Sequence, residues 1–281
     1  MEERIITEEI IQSFHQYLVQ EEKSTATIEK YLRDVRTFST YIGSKIVTKE
    51  LVMDYKQNLQ VKEYAVRSIN SMLASLSSLL DFLGWSECKV KNIKMQKQVY
   101  CAEEKELTKA EYFRLLEASK KKPQLQLVMQ TICGTGIRVS ELQHFTVEAV
   151  KQGEVIVNCK GKTRTILIPG KLRKRLLDYA RKQKIQSGTI FLSQKKTPLN
   201  RSYIWEQMKG LCKEANVSPG KVFPHNLRKL FARTFYGIEK DIAKLADILG
   251  HSSIDTTRIY IMSTGAEHRK KIEQLGLVVW I

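Results

Sequence analysis

Apolar positions recur at three- and four-residue spacing through four stretches of the first 92 residues, a period that belongs to amphipathic helices and not to strands. Ile10, Phe14, Tyr17 and Leu18 mark the first stretch, opened by Thr7 as a capping residue. Ile28, Tyr31, Leu32, Val35, Phe38 and Tyr41 mark the second, which Gly43 stops. A third starts near Thr48 and carries Leu51, Val52 and Tyr55; a fourth runs through Val66, Ile69, Leu73, Leu76, Leu80 and Leu83 to Gly84. The pattern predicts a small all-α domain over residues 1–92. The rhythm lapses over 93–107, which reads as a linker, and Thr108 with Glu111 three positions on then forms a capping box that opens a new helix. Strict alternation occurs only in EVIVNCKGKTRTILIP, two β runs around a turn at Lys160-Gly161-Lys162. Helical spacing returns after it. The expected fold is therefore mainly α: an all-α first domain, then a mostly α domain over 108–281 with a small antiparallel sheet.

Composition sharpens this picture without changing it. A chain of 281 residues suits two domains, and 42% hydrophobic with 27% charged residues excludes a disordered or fibrous protein. The charge is more telling. Of the net +17, residues 1–100 contribute 14 basic and 13 acidic side chains, whereas residues 101–281 hold 33 and 17. An excess confined to the second domain points to a phosphate-facing surface and a nucleic-acid partner, the plain alternative being a solvated lysine-rich face. Met1-Glu2-Glu3 lacks the basic and apolar regions of a secretory signal and no run of about 18 apolar residues occurs, so a cytoplasmic protein with no membrane partner is expected. Cys88, Cys101, Cys133, Cys159 and Cys212 are odd in number and form no Cys-x-x-Cys pair, which argues for reduced packing residues over disulfides or zinc ligands.

Three stretches of the basic domain carry candidate chemistry. In GTGIRVSEL, Gly134 and Gly136 break the helix holding Leu127, Val128 and Ile132, and Arg138 opens the next, where free N–H groups favour an anion; pairing of Arg138 with Glu141 one turn on explains it equally well in isolation. In FPHNLRKLFAR, Pro224 suits a first helical turn, and His225 and Arg228 share one face beside a core stripe of Leu227, Leu230, Phe231 and Thr234. In ILGHSSIDTTRIY, Gly250 closes the helix of Ile242, Leu245, Ile248 and Leu249, His251 lies on the turn, and Tyr260 follows on a short helix where a core aromatic is the ordinary reading.

In this order, the three motifs resemble the first-arginine, His-x-x-Arg and second-histidine-plus-tyrosine motifs of the tyrosine recombinase (phage-integrase-like) family, and the resemblance extends over nearly the whole chain. It implies a SAM-like core-binding first domain, a recombinase catalytic domain, and catalytic positions at Arg138, His225, Arg228, His251 and Tyr260. The family's hairpin lysine matches Lys160, with Lys162 flanking the same turn. Lys229 departs from the second histidine many members carry after the arginine, and the linker lacks their usual prolines.

The implied reaction breaks and rejoins double-stranded DNA at recombination sites through a 3′-phosphotyrosyl link. Tyr260 would attack; Arg138 and Arg228 would hold the phosphate oxygens; His225 would help take the tyrosine proton; Lys160 would protonate the leaving hydroxyl; His251 would bond a phosphate oxygen. No metal or other cofactor enters this scheme. Lys162, Arg164, Arg173, Lys174 and Arg175 are candidates for DNA-backbone contacts. The resemblance further implies a homotetramer on two sites, with an accessory directionality protein as a conceivable partner. A type IB topoisomerase-like activity, or a basic DNA-binding protein without catalysis, are the competing readings. The apolar end, from Leu275 through Ile281, is expected to dock either on its own domain or on a neighbouring protomer.

Overall fold

Two helices of the first unit start at short polar side chains in the predicted positions, Thr7 and Thr48. The computed structural model describes residues 4–96, 100, 101, 103–159 and 162–277, and the chain divides into two compact units, 1–97 and 98–281. In the first unit α1 (Glu8–Gln20), α2 (Thr25–Ile42), α3 (Lys49–Val61) and α4 (Val66–Phe82) follow one another. The hydroxyls of Thr7 and Thr48 accept from the N–H groups of Ile10 and Leu51, at 3.4 and 3.2 Å, satisfying donors that a helix start otherwise leaves unpaired. Phe14, Leu18, Val35, Phe38, Leu79 and Leu80 close the core. Tyr41 departs from the expected stripe: Val35, Phe38 and Ile42 complete the buried face, while Tyr41 turns one step round the helix to solvent and meets Tyr55 at 5.1 Å between ring centroids. Between α2 and α4 the buried Asp34 carboxylate accepts from Ser75 at 2.9 Å and pairs with Lys30 at 2.8 Å, as a buried charge requires.

The second unit begins earlier than the alternation of apolar residues implied. Leu107 and Glu106 are buried in it, Glu103–Lys105 form a 3-10 turn, and Cys101 makes a parallel bridge to Thr264. The later part of the expected linker thus packs with the second unit, held by packing and pairing that no local pattern announces. Then come α5 (Lys109–Ala118), α6 (Pro123–Thr135), α7 (Val147–Gln152), the hairpin β1 (Glu154–Cys159) and β2 (Lys162–Leu167), α8 (Gly170–Lys182), α9 (Arg201–Lys209), α10 (Cys212–Ala215), α11 (Pro224–Glu239), α12 (Ile242–Leu249), α13 (Ile254–Ile261) and α14 (Gly265–Glu273). The strands pair antiparallel from Glu154↔Leu167 to Cys159↔Lys162, with Val155, Val157 and Ile166 turned into the core. The Thr108–Glu111 capping box opens α5 as expected.

Gly136 ends α6 with φ +67, and there the sequence expectation needs one correction. The segment after Arg138 is not an α-helix but a six-residue 3-10 helix, Val139–His144, after which Thr146 caps α7. Among the described residues no helix is long and apolar enough to cross a membrane.

Candidate active site

The three motif stretches converge on a cleft of about 600 Å³ lined by Arg138, Arg201, Trp205, His225, Arg228 and Tyr260 among others. Each side chain is placed by an element end. Gly136 lets α6 stop and turn, so that Arg138 caps the 3-10 helix: Glu141 Oε2 accepts its backbone N–H at 2.7 Å and Glu141 Oε1 its guanidinium at 3.1 Å. The local pairing with Glu141 and the cleft position are therefore both real. Pro224 starts α11, projecting His225 and Arg228 from its first turn. Gly250, φ +63, ends α12 and releases the chain into the turn bearing His251.

Arg228 is only 1% exposed, a large cost for a guanidinium unless its N–H groups are satisfied. It donates to the carbonyls of Gly136 and of Leu249, the latter at 2.6 Å, and contacts His251 Nε2 at 3.0 Å. Its Nε has no partner among the described residues. Burial first, then the neighbouring Arg138, brings its pKa down to about 10, which leaves it fully cationic near neutrality. Because Arg228 must donate to Nε2 of His251, the ring proton lies on Nδ1, and it is donated to Thr257 Oγ1 at 2.8 Å. Burial and then Arg228, Arg138 and Arg164 push His251 down to about 4. His225 also falls to about 4, from desolvation first and then from the nearby cations Lys229, Arg228, Arg201 and Arg138. Both imidazoles are neutral at physiological pH, the state in which a ring nitrogen can accept a proton.

Tyr260 lies on α13, 8% exposed, with ring centroids 5.0 Å from His225 and 4.8 Å from His251 and with the Arg228 guanidinium carbon 5.9 Å over its face. Five of the six residues expected to be catalytic are thus gathered. The sixth, Lys160, lies outside the described residues, as does the side chain of Lys162.

The proposed DNA contacts divide. Arg164 points inward: 13% exposed, it pairs with Glu141 Oε2 at 2.7 Å and donates to the Leu249 carbonyl. Arg173 is exposed and donates from Nε and Nη2 to the Val150 and Lys151 carbonyls at the end of α7, and Arg175 reaches Gln126 at 2.7 Å. Lys174 is exposed. Reading motifs alone missed the supporting roles of Thr257 and Glu141. Only the i, i+3 spacing from Arg138 signalled Glu141, and nothing local signalled Thr257.

Comparison with known proteins shows the family. Residues 105–267 match the phage integrase family and residues 11–87 the phage integrase N-terminal SAM-like domain. The chain is 30% identical to tyrosine recombinase XerA of Pyrococcus furiosus, over 99% of this chain and 98% of that protein. It is 26% identical to tyrosine recombinase XerD of Halalkalibacterium halodurans, over 92% and 94% respectively. In fold it is similar to a lambda integrase dimer bound to a COC′ core site, with TM-score 0.72 at 18% identity, covering 92% of this chain and 96% of that one. With both domains matched in order and a relative aligned end to end, the chain belongs to the tyrosine recombinase (phage integrase) family of enzymes that cleave and rejoin DNA in site-specific recombination.

Proposed function

We propose that this enzyme cuts each DNA strand by attack of the Tyr260 hydroxyl on the scissile phosphorus, displacing the 5′-oxygen and leaving a 3′-phosphotyrosyl bond, and rejoins strands by the reverse attack of a 5′-hydroxyl. The observation that carries the reading is the placement of a buried tyrosine ring between two neutral histidines and over a buried arginine, at the edge of a cation-lined cleft. A phenol is otherwise a poor nucleophile near neutrality and needs a base within reach. His225 supplies it, its low pKa keeping the ring free to accept the phenolic proton. Arg138 and Arg228 face the non-bridging oxygens, where paired guanidinium forks match the charge that grows in the transition state. An incoming phosphate draws the Arg228 N–H away from His251 Nε2; the ring proton then moves to Nε2 and is donated to a phosphate oxygen, with Thr257 Oγ1 donating to Nδ1 in turn. Lys160, in the connection between β1 and β2, protonates the leaving 5′-oxygen.

The substrate is a pair of double-stranded recombination sites held by four copies of the chain. The same break-and-join chemistry serves integration or excision of an element and resolution of dimers. Incubation with a nicked suicide duplex carrying a candidate site, in chelator and without nucleotide triphosphate, tests the reading. Accumulation of a denaturation-resistant protein–DNA complex is expected; strand cutting that leaves no such complex contradicts it.

A further inference from the structure

Three guanidinium groups meet at the last turn of α12. Arg138 donates to the Gly250 carbonyl at 3.0 Å, Arg228 to the Leu249 carbonyl at 2.6 Å, and Arg164 to that same Leu249 carbonyl. A helix end offers carbonyls with no partner within the helix and a partial negative charge, so it accepts such cations at little cost. The Glu141 carboxylate lies among them, 5% exposed, with one oxygen 3.1 Å from Arg138 and the other 2.7 Å from Arg164. Arg138 and Arg228 line the cleft, whereas Arg164, from β2, is partnered by Glu141 and the end of α12. Gly250 completes the arrangement. A Cβ at this position would collide with the Arg164 guanidinium and come within 2.9 Å of its Cδ.

We propose that Arg164 is a positioning residue of strand cleavage, acting through Arg138 and the α12 end and not on DNA directly; the inference rests on the assignment of this cleft as the cleavage site. Glu141 is buried and must be neutralised. With Arg164 present, its charge is shared and one fork of Arg138 stays available to the phosphate. Without Arg164, Glu141 draws Arg138 into a closed ion pair, turning the guanidinium away from the scissile oxygens. Arg164 also ties β2 to the end of α12 that precedes His251, so one side chain links the hairpin to two of the three motifs.

The test compares Arg164→Met and Arg164→Lys with the wild type in half-site binding, thermal midpoint and single-turnover cleavage at saturating DNA. Two suicide duplexes are used, one with an ordinary scissile phosphodiester and one with a neutral methylphosphonate there. On the phosphodiester, Arg164→Met is expected to slow cleavage about 10²-fold, the cost of misplacing a reacting or stabilising group by roughly 1 Å. Half-site affinity stays within about threefold, because no phosphate contact is lost. On the methylphosphonate, which carries no charge for Arg138 to neutralise, the loss is expected to shrink to about threefold or less. Equal losses on both linkages would make Arg164 a structural residue and overturn the proposal. A weakened affinity with a shallower salt dependence would make it a DNA contact and overturn it as well. Should Arg164→Met not fold, Arg164→Lys keeps the cation but cannot bridge Glu141 and Leu249 together, and the same comparison applies to it. Failure of the wild type to form a covalent complex overturns the site assignment itself, and is seen without any Arg164 variant.

Discussion

Replacing Gly136 by alanine strikes the site through its packing and not its chemistry. The residue has φ +67, and an added Cβ would run into the Phe231 ring and come within 3.0 Å of Leu249 Cδ2. Neither neighbour can swing away freely: Phe231 stacks on Phe235 at 6.0 Å, and Leu249 is wholly buried. The left-handed backbone costs alanine about 1–2 kcal/mol. Overpacking in a rigid core adds about 1–3 kcal/mol, for a total near 2–5 kcal/mol. Gly153 supplies the control, since its φ is +90 but the nearest atom to an added Cβ is the movable Arg173 Nη1 at 3.7 Å. Gly153→Ala should therefore show only the backbone part. In urea titrations of the full chain, read by hydrogen exchange in α6 and α11, a slope near 2 kcal/mol per molar translates these losses into midpoint shifts of about 1–2.5 M for Gly136→Ala and about 0.5–1 M for Gly153→Ala. Because the Gly136 and Leu249 carbonyls both hold Arg228, the first variant should also cleave slowly at temperatures where it remains folded. Two glycine variants equal to within about 0.5 kcal/mol would refute the packing argument.

Arg228→Lys keeps a cation but cannot serve the Gly136 carbonyl, the Leu249 carbonyl and a phosphate together; cleavage at saturating DNA should fall about 10²–10³-fold, measured against half-site binding that changes little. The histidine pKa values near 4, below the ordinary 6.5, mean that the unfolded chain binds more protons than the folded one between those limits. The stability they contribute is complete above pH 6.5 and is lost as pH falls towards 4, which thermal melts across that range should show. Since a phosphate raises both pKa values, DNA binding near pH 5 should take up protons, seen by calorimetry in buffers of different ionisation enthalpy, and His225→Gln should reduce the uptake. Glu106 is buried and holds Lys229 at 3.1 Å and Arg233 at 3.5 Å. Both partners keep some exposure, so Glu106→Gln should cost about 1–3 kcal/mol in a thermal melt, less than a fully buried pair would.

What could be read from residues alone was what residues settle locally. Thr7, Thr48 and Thr108 cap helices because a hydroxyl needs only an N–H three positions on, and Gly43 and Gly250 end helices because they adopt positive φ without strain. The pairing of His225 with Arg228 on one helical face was legible for the same reason. Arg164 was not, because its partners Glu141 and Leu249 lie 23 and 85 positions away, and a basic residue on an exposed-looking strand gives no sign of turning inward. Arg138 was half legible: its pairing with Glu141 is local, but its bond to Gly250 spans 112 positions. The burial of Glu106 was not legible either, since it depends on Lys229 and Arg233 of α11.

The central claim is that Tyr260 becomes covalently joined to the 3′ end of the cut strand. Its most direct test is mass spectrometry of the trapped complex after nuclease and protease digestion. A residual nucleotide linked through phosphate is predicted on the peptide containing Tyr260, with Tyr260→Phe binding the half-site yet yielding no complex. A nucleotide mapped to another residue, such as Tyr203 or Tyr236, or a covalent complex that survives Tyr260→Phe, would contradict the account.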